Sequence, residues 1–325
     1  MMPLPVDGNT KRLSVVIPVF NESGNVQALT KELVAALTGL AAQEGWPRDA
    51  WEVIFVDDGS RDDTWALVEA ENRRDARIGG IRLSRGFGHH IAISAGLDHA
   101  IGESVVVMDG DLQDPPDAIP LLYEKRKAGF DLVYSTRVDR QDPLLKRLNS
   151  RLFWGTMNRV SGLHMPPTQM MLRMMSRRFV DAIVQMRETQ RFVHGMMAWA
   201  GFRVTTVNVQ HRARHAGRTN YNFMRQLRLA VYAITSFSTT PLRVASILGL
   251  ITSLVSFSAG LGLVVARFVY SYPVEGWASI ITSVYFLGGI QLLVLGIIGE
   301  YLGKTYKEVQ HRPLYFISES LSPHD

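Results

Sequence analysis

Two stretches, Val244 to Ala266 (VASILGLITSLVSFSAGLGLVVA) and Gly276 to Gly299 (GWASIITSVYFLGGIQLLVLGIIG), contain no charged side chain. Each exceeds the roughly 20 apolar residues an α-helix needs to cross about 30 Å of hydrocarbon. Arg267 and Glu275 close off a short connection holding Tyr270, Tyr272, Pro273 and Trp277. The pair therefore reads as a membrane hairpin with an aromatic belt, and two buried helices in a soluble core are the alternative. Arg243 precedes the first run, and Lys304, Lys307 and Arg312 follow the second. Positive flanks of this kind place both ends in the cytoplasm. Gly260, Gly262, Gly288 and Gly289 permit close helix packing.

Upstream of Arg243 charge is frequent, so the overall mean hydropathy of +0.03 averages two unlike halves. A chain of 325 residues buries one generous core, or one core with appended elements. The pattern is repetitive. Leu13 to Phe20 is an apolar run followed by Asn21-Glu22-Ser23-Gly24 and a helical spacing from Val26 to Leu40. Trp51 to Val56 leads in the same way through Asp57-Asp58-Gly59-Ser60 into a helix from Thr64 to about Arg74. Ile78 to Leu83, Ser104 to Met108 and Asp131 to Ser135 supply further strands, with a helix from about His89 to Ala100. Alternation of this kind predicts an α/β domain with a mostly parallel sheet covered on both faces. Leu144 to Val160 reads as an amphipathic helix, and Asn222 to Phe237 has the pattern of a helix lying at a bilayer interface, with a core-facing amphipathic helix as the alternative.

There is no cysteine, which excludes disulfides and thiolate metal sites. The first residues, MMPLPVDGNTKR, show no apolar signal segment, so the first domain is expected to stay on the side of synthesis. The net charge of +5 suits anionic lipid and phosphate as well as nucleic acid. The basic residues cluster near the spans and no aromatic-basic recognition motif is present, so a nucleic-acid partner is not expected.

Ligands of such sheets bind beyond the carboxyl ends of the strands, where Asp57-Asp58 and Asp109-Gly110-Asp111 fall. Paired carboxylates at a strand end suit a hard divalent cation, Mg²⁺ or Mn²⁺, whose other positions take diphosphate oxygens. A solvated turn and a helix-capping Asx turn are the bland readings of the two clusters. With Pro18-Val19-Phe20-Asn21-Glu22 nearby, Asp57-Asp58 also fits a nucleoside pocket.

The segments VVIPVFNE, VDDGSRDDT, LSRGFGHHIAISAGLDHA and MDGDLQDPP, in this order, resemble the inverting family-2 glycosyltransferases of GT-A fold. RVDRQD, TTPLR and LGIIGEYLGKTYKEVQHRPLYF, around the two spans, are similar to the polyprenyl-phosphate sugar transferases, above all the group that carries 4-deoxy-4-formamido-L-arabinose. The resemblance covers nearly the whole chain. It implies a GT-A domain over residues 1–221, an interfacial helix over 222–241, two transmembrane helices over 242–300 and a cytoplasmic tail over 301–325, in a multi-pass protein of the inner membrane. It implies that Pro18, Phe20, Glu22, Asp57 and Asp58 line the nucleoside site, and that Asp109, Asp111 and Gln113 hold metal and diphosphate. Arg137, Lys146 and Arg147 match positions where the family docks the lipid phosphate. The partners implied are a nucleotide-sugar donor, a UDP-sugar by expectation, and a polyprenyl phosphate such as undecaprenyl phosphate; a homo-oligomer is compatible.

Three departures from the family pattern stand out. Pro167 to Met170 carries no carboxylate where relatives have an acid, so no acceptor-side base is present there. An ionised phosphate acceptor needs none, because general-base catalysis counts only where a proton moves. The other readings are a catalytically silent scaffold that binds nucleotide sugar or lipid phosphate, and a glucosyl- or mannosyl-specific polyprenyl-phosphate transferase. His89 stands where relatives have lysine or glutamine, and His89-His90 reads as a helix start rather than a metal site. Asn220 replaces the usual lysine of a mobile loop, with Arg218 as its substitute. Gln190-Arg191-Phe192 does not supply the Gln-x-x-Arg-Trp motif of processive synthases.

Overall fold

The computed structural model describes residues 11–137, 169–189, 191–210, 238–270 and 276–322. Two compact units divide them, one carrying the sheet and residues from 313 onward, the other the two long helices.

The first unit begins with β1 (Leu13–Val19), α1 (Val26–Glu44), β2 (Trp51–Asp57), α2 (Thr64–Arg74), β3 (Ile78–Leu83), α3 (His89–His99) and β4 (Ser104–Val107). Every residue of β1, β2 and β4 is buried, as a strand covered on both faces requires. The helices supply that cover with one apolar stripe each: Leu29, Leu33, Leu37 and Leu40 of α1 join Trp51, Val53 and Phe55 in the core. Each fully buried side chain of this size contributes about 1.5–3 kcal/mol of transfer free energy. The apolar runs and their helical partners were thus legible, with ends shifted by at most a few residues.

A 3₁₀ turn (Pro116–Ala118) leads into α4 (Ile119–Lys127) and β5 (Leu132–Arg137). Then come β6 (Gln169–Ser176), α5 (Arg177–Gln185), α6 (Val193–Trp199) and β7 (Val204–Val209). The sheet has eight strands in the order β7, β5, β6, β4, β1, β2, β3 and finally β8 (Ile317–Leu321). It is mixed rather than mostly parallel. β6 runs antiparallel to both β4 and β5, and β8 runs antiparallel to β3, while the remaining neighbours are parallel. Among the described residues, helical crossovers α1, α2 and α3 link the parallel strands β1, β2, β3 and β4 in turn.

Residues 317–321, within the segment expected to be a tail, form the edge strand β8. Its Glu319 accepts from Trp65 Nε1 at 3.0 Å and pairs with Arg82 at 2.7 Å. Glu319→Ala leaves the buried indole N–H unpaired and is expected to lower stability by about 1 kcal/mol. Glu319→Gln, whose amide oxygen still accepts, should lose less; thermal denaturation of the two variants checks the order.

In the second unit, α7 (Thr240–Tyr270) and α8 (Trp277–Val309) are long helices. Thr240–Gly262 and Ser283–Val309 have mean hydropathies of 1.9 and 1.6 with almost none of their surface buried. Both are long and apolar enough to cross a membrane. Tyr301 Oη donates to the carbonyl of Ser238 at 2.7 Å, tying the two together. The helices extend past the charge-free runs, α8 as far as Lys304 and Lys307. The amphipathic segments expected over 144–160 and 222–237, and the connection over 271–275, lie outside the described residues.

Candidate active site

The carboxyl ends of β1, β2 and β4 open into a cavity of about 310 Å³ lined by Pro18, Val19, Phe20, Glu22, Asp58, His89, Ala92, Asp109, Gly110 and Asp111. Six residues expected to hold nucleoside, metal or diphosphate therefore meet in one place: Pro18, Phe20, Glu22, Asp58, Asp109 and Asp111.

The loops that carry them are knitted together by backbone bonds. Asn21 N donates to Ser60 Oγ and Glu22 N to Thr64 Oγ1, both at 2.9 Å, while Arg61 N donates to Asn21 Oδ1 at 2.8 Å. Asn21 takes a positive φ of 55°, which asparagine tolerates better than most residues. Asp58 spans to a third loop: its two carboxylate oxygens accept from Phe87 N at 2.7 Å and Gly88 N at 2.9 Å. Burial pushes Asp58 above the ordinary carboxylate range, and those two N–H donors pull it back. Asp57 is not among the lining residues: its carboxylate is fully buried, accepts from Ser60 N at 2.9 Å, and lies 3.5 Å from Arg82 Nε.

Asp109 and Asp111 flank Gly110, where a Cβ would come within 2.8 Å of Val19 Cγ1. Only glycine lets this loop lie so close to β1. Leu112 takes a φ of 61°, a strained conformation for a leucine, next to the acidic pair. Gln113 acts through its backbone, donating to Asp111 Oδ1 at 3.1 Å. His89 opens α3, as its sequence position suggested, and its Nε2 lies 3.6 Å from Asp109 Oδ1. Arg137 closes β5 opposite Val209. Lys146, Arg147, Arg218 and residues 167 and 168 of the acid-free stretch lie outside the described residues, while Gln169 and Met170 begin β6.

The site fits a divalent cation. Asp114 Oδ2 is buried without a hydrogen-bond partner among the described residues. Burial first, then the charges of Asp109 and Asp111, push the Asp114 carboxyl up to about 7. Negative charge has accumulated here, and carboxylate oxygens are the donors that Mg²⁺ and Mn²⁺ prefer. Among the described residues no group of three or more acidic, histidine or cysteine side chains converges. Two carboxylates without a third protein ligand suit a cation that completes its sphere with phosphate oxygens and water.

The model of Glycosyl transferase family 2 matches residues 14–184, which contain all of these loops. The chain belongs to that family. Similar over 313 residues, at 40% identity and 95% and 96% of the two chains, is an uncharacterized glycosyltransferase of Synechocystis sp.. A bactoprenol glucosyl transferase of Shigella phage SfII is 37% identical over 95% of this chain and 98% of its own. The undecaprenyl-phosphate 4-deoxy-4-formamido-L-arabinose transferase of Salmonella paratyphi A is 34% identical over 96% and 94%. Among solved structures, the mannosyltransferase PcManGT of Pyrobaculum calidifontis, in complex with GDP-Man and Mn²⁺, overlaps 91% of this chain and 88% of its own, at 17% identity and a TM-score of 0.47. The chain is therefore a family-2 glycosyltransferase, with the mixed α/β sheet typical of the GT-A fold and two helices long and apolar enough to cross a membrane.

Behind the cavity this glycosyltransferase holds a cluster that sequence reasoning missed: His90, Phe192 and His194 packed ring to ring, with Arg173 beside them. The only signal for it was an arginine in an apolar run, MMLRMM, which reads as an interrupted core segment. Burial pushes His90 down from 6.5 to about 4, ahead of the repulsion from its charged neighbours. The unfolded chain takes up this proton near 6.5 and the folded chain near 4, so stability falls as pH drops through that window. His90→Gln is expected to flatten this slope in melts between pH 7 and pH 4.

Proposed function

We propose that this glycosyltransferase moves a sugar from a nucleotide-sugar to a polyprenyl phosphate such as undecaprenyl phosphate, with inversion at the anomeric carbon. The observation that carries the reading is one cavity lined by Glu22 and Asp58 together with Asp109 and Asp111. The first pair suits the hydroxyl and base donors of a nucleoside. The second, with Gln113 beside it, suits a divalent metal on the diphosphate. When bound, Mg²⁺ or Mn²⁺ would neutralise charge on the leaving diphosphate.

The acceptor enters as a phosphate already ionised at neutral pH. One of its oxygens forms the bond to the anomeric carbon, and the bond from that carbon to the diphosphate oxygen breaks, its electron pair leaving with the nucleoside diphosphate. No proton has to move, which accounts for a chain that carries no acid at Pro167 to Met170. Arg137, Lys146, Arg147 and Arg218 are the candidates for the lipid phosphate, since arginine forks match its geometry. The names of the bactoprenol and undecaprenyl-phosphate relatives support this acceptor class. An acceptor confined to the bilayer also gives α7 and α8 a purpose, and the basic residues flanking them support a multi-pass protein with its catalytic unit in the cytoplasm.

The test is a donor screen: purified full-length protein, Mn²⁺ and undecaprenyl phosphate with UDP-glucose, UDP-4-deoxy-4-formamido-L-arabinose or GDP-mannose. A lipid-linked sugar of the corresponding mass is the expected product. Lipid recovered unmodified with every donor would overturn the acceptor assignment.

A further inference from the structure

Arg173 is 1% exposed, and it is among the largest fully buried side chains of the protein. A guanidinium withdrawn from water is strongly disfavoured unless an anion accompanies it. Here its hydrogen-bond partners are all neutral. Nε donates to the carbonyl of Met171 at 2.9 Å, and Nη2 to the carbonyl of Met170 at 3.1 Å and to Nε2 of His194 at 2.9 Å. Nη1 and Nη2 also lie 3.3 Å and 3.2 Å from the sulfurs of Met197 and Met171. Among the described residues no ion pair includes it.

Its place in the fold is next to the acidic pair. Arg173 lies opposite Val107, the last residue of β4, and Asp109 follows two positions on. A second path runs through rings: His194 to His90 at 5.6 Å, His90 to His89 at 5.7 Å, and His89 Nε2 to Asp109 Oδ1 at 3.6 Å. To accept from Arg173, Nε2 of His194 must present a lone pair, so His194 is neutral with its proton on Nδ1. Burial, then the charge of Arg173, keeps His194 far below its ordinary range. Among the described residues, the groups that hold Arg173 thus carry no countercharge, and the anions that feel it include Asp109 and Asp114.

We propose that Arg173, locked by His194, is a positioning charge of the donor site: a fixed cation behind Asp109 and Asp111 that offsets their charge and so admits the diphosphate anion. This deepens the donor reading above and rests on it. Arg173 touches no ligand; it acts through the carboxylates. Its charge opposes a metal ion arriving alone and favours one that arrives with diphosphate.

The signs of the two effects differ, which separates this role from a merely structural one. The test measures free Mn²⁺ by electron paramagnetic resonance, and UDP or GDP by calorimetry, on the full-length protein. For Arg173→Met the expected results are Mn²⁺ binding about 3- to 10-fold tighter without nucleotide, and nucleotide binding in Mn²⁺ about 10-fold weaker. Arg173→Lys, which keeps the charge, should track the unaltered protein in both. General loosening of the site weakens both ligands, and that result overturns the proposal, as does unchanged Mn²⁺ affinity in Arg173→Met or a Lys variant that behaves like Met. Should the variants not fold, the unaltered protein still decides: Mn²⁺ affinity that is the same with and without UDP or GDP overturns the proposal. Failure of both nucleotides to bind in Mn²⁺ would instead overturn the donor reading itself.

Discussion

Asp111→Ala is expected to cut sugar transfer by roughly 10³-fold or more, the scale on which single preorganised electrostatic groups act in catalysis. The side chain lines the cavity, and its Oδ1 is aimed by the backbone N–H of Gln113. Removing it leaves Asp109 as the one remaining carboxylate of the pair, too few oxygens to hold a hard cation against a diphosphate that must depart. Asp111→Asn keeps the shape and loses the charge, so it should fall nearly as far. The loop itself is set by Gly110 and its closeness to β1, which neither variant alters, so the melting temperature should hardly move. Product formation from nucleotide-sugar and undecaprenyl phosphate, measured across Mn²⁺ concentrations, reads the effect. Turnover near that of the unaltered protein would remove Asp111 from the metal assignment.

The second large effect belongs to a residue with no side chain. Gly59 has a φ of +74°, and a Cβ there would lie 2.7 Å from the carbonyl carbon of Arg85 and 2.8 Å from Gly86 N. Both obstacles are backbone, and the loop they belong to is tied to Asp58 through Phe87 N and Gly88 N. Gly59→Ala therefore cannot be absorbed by turning a side chain. It combines left-handed strain of roughly 1–2 kcal/mol with a forced shift of the loop that donates to Asp58, for a total of about 3–4 kcal/mol. Gly45→Ala is the matched comparison: its φ is +66°, but nothing lies within 4 Å of the added Cβ, so only the strain of about 1 kcal/mol applies. Paired thermal melts should show the difference, and nucleotide affinity should fall in Gly59→Ala alone. Equal losses for the two would mean that the 86–88 loop yields freely.

The parallel half of the sheet was legible because its strands are buried on both faces, and such strands read as unbroken apolar runs such as VVIPV and WEVIFV. The acidic loops were legible because they sit where those runs stop. β6 was not: MMLRMM is built from residues that favour helices, and only pairing to β4 and β5 makes it a strand. β7 and β8 are short and largely exposed, so no burial pattern marks them. Asp57 illustrates a different limit. Adjacent carboxylates in one loop look equivalent in sequence, yet successive side chains diverge, and Asp57 props the turn at Ser60 while Asp58 faces the cavity. Arg173 was hidden for a related reason, since nothing in an isolated run tells a buried guanidinium from an exposed one.

The edge strand β8 has a consequence for how the protein is made. Its partner β3 leaves the ribosome more than two hundred residues earlier, and everything that composes α7 and α8 is synthesised in between. During that interval the nascent sheet presents the open rim of β3 to solvent, with Trp65 lacking the Glu319 acceptor it has in the finished fold. Final closure of the catalytic sheet is thereby deferred until the hydrophobic helices have been delivered. A ribosome stalled within α8 would release a chain with the donor loops already synthesised and one sheet edge free to pair with a neighbour's.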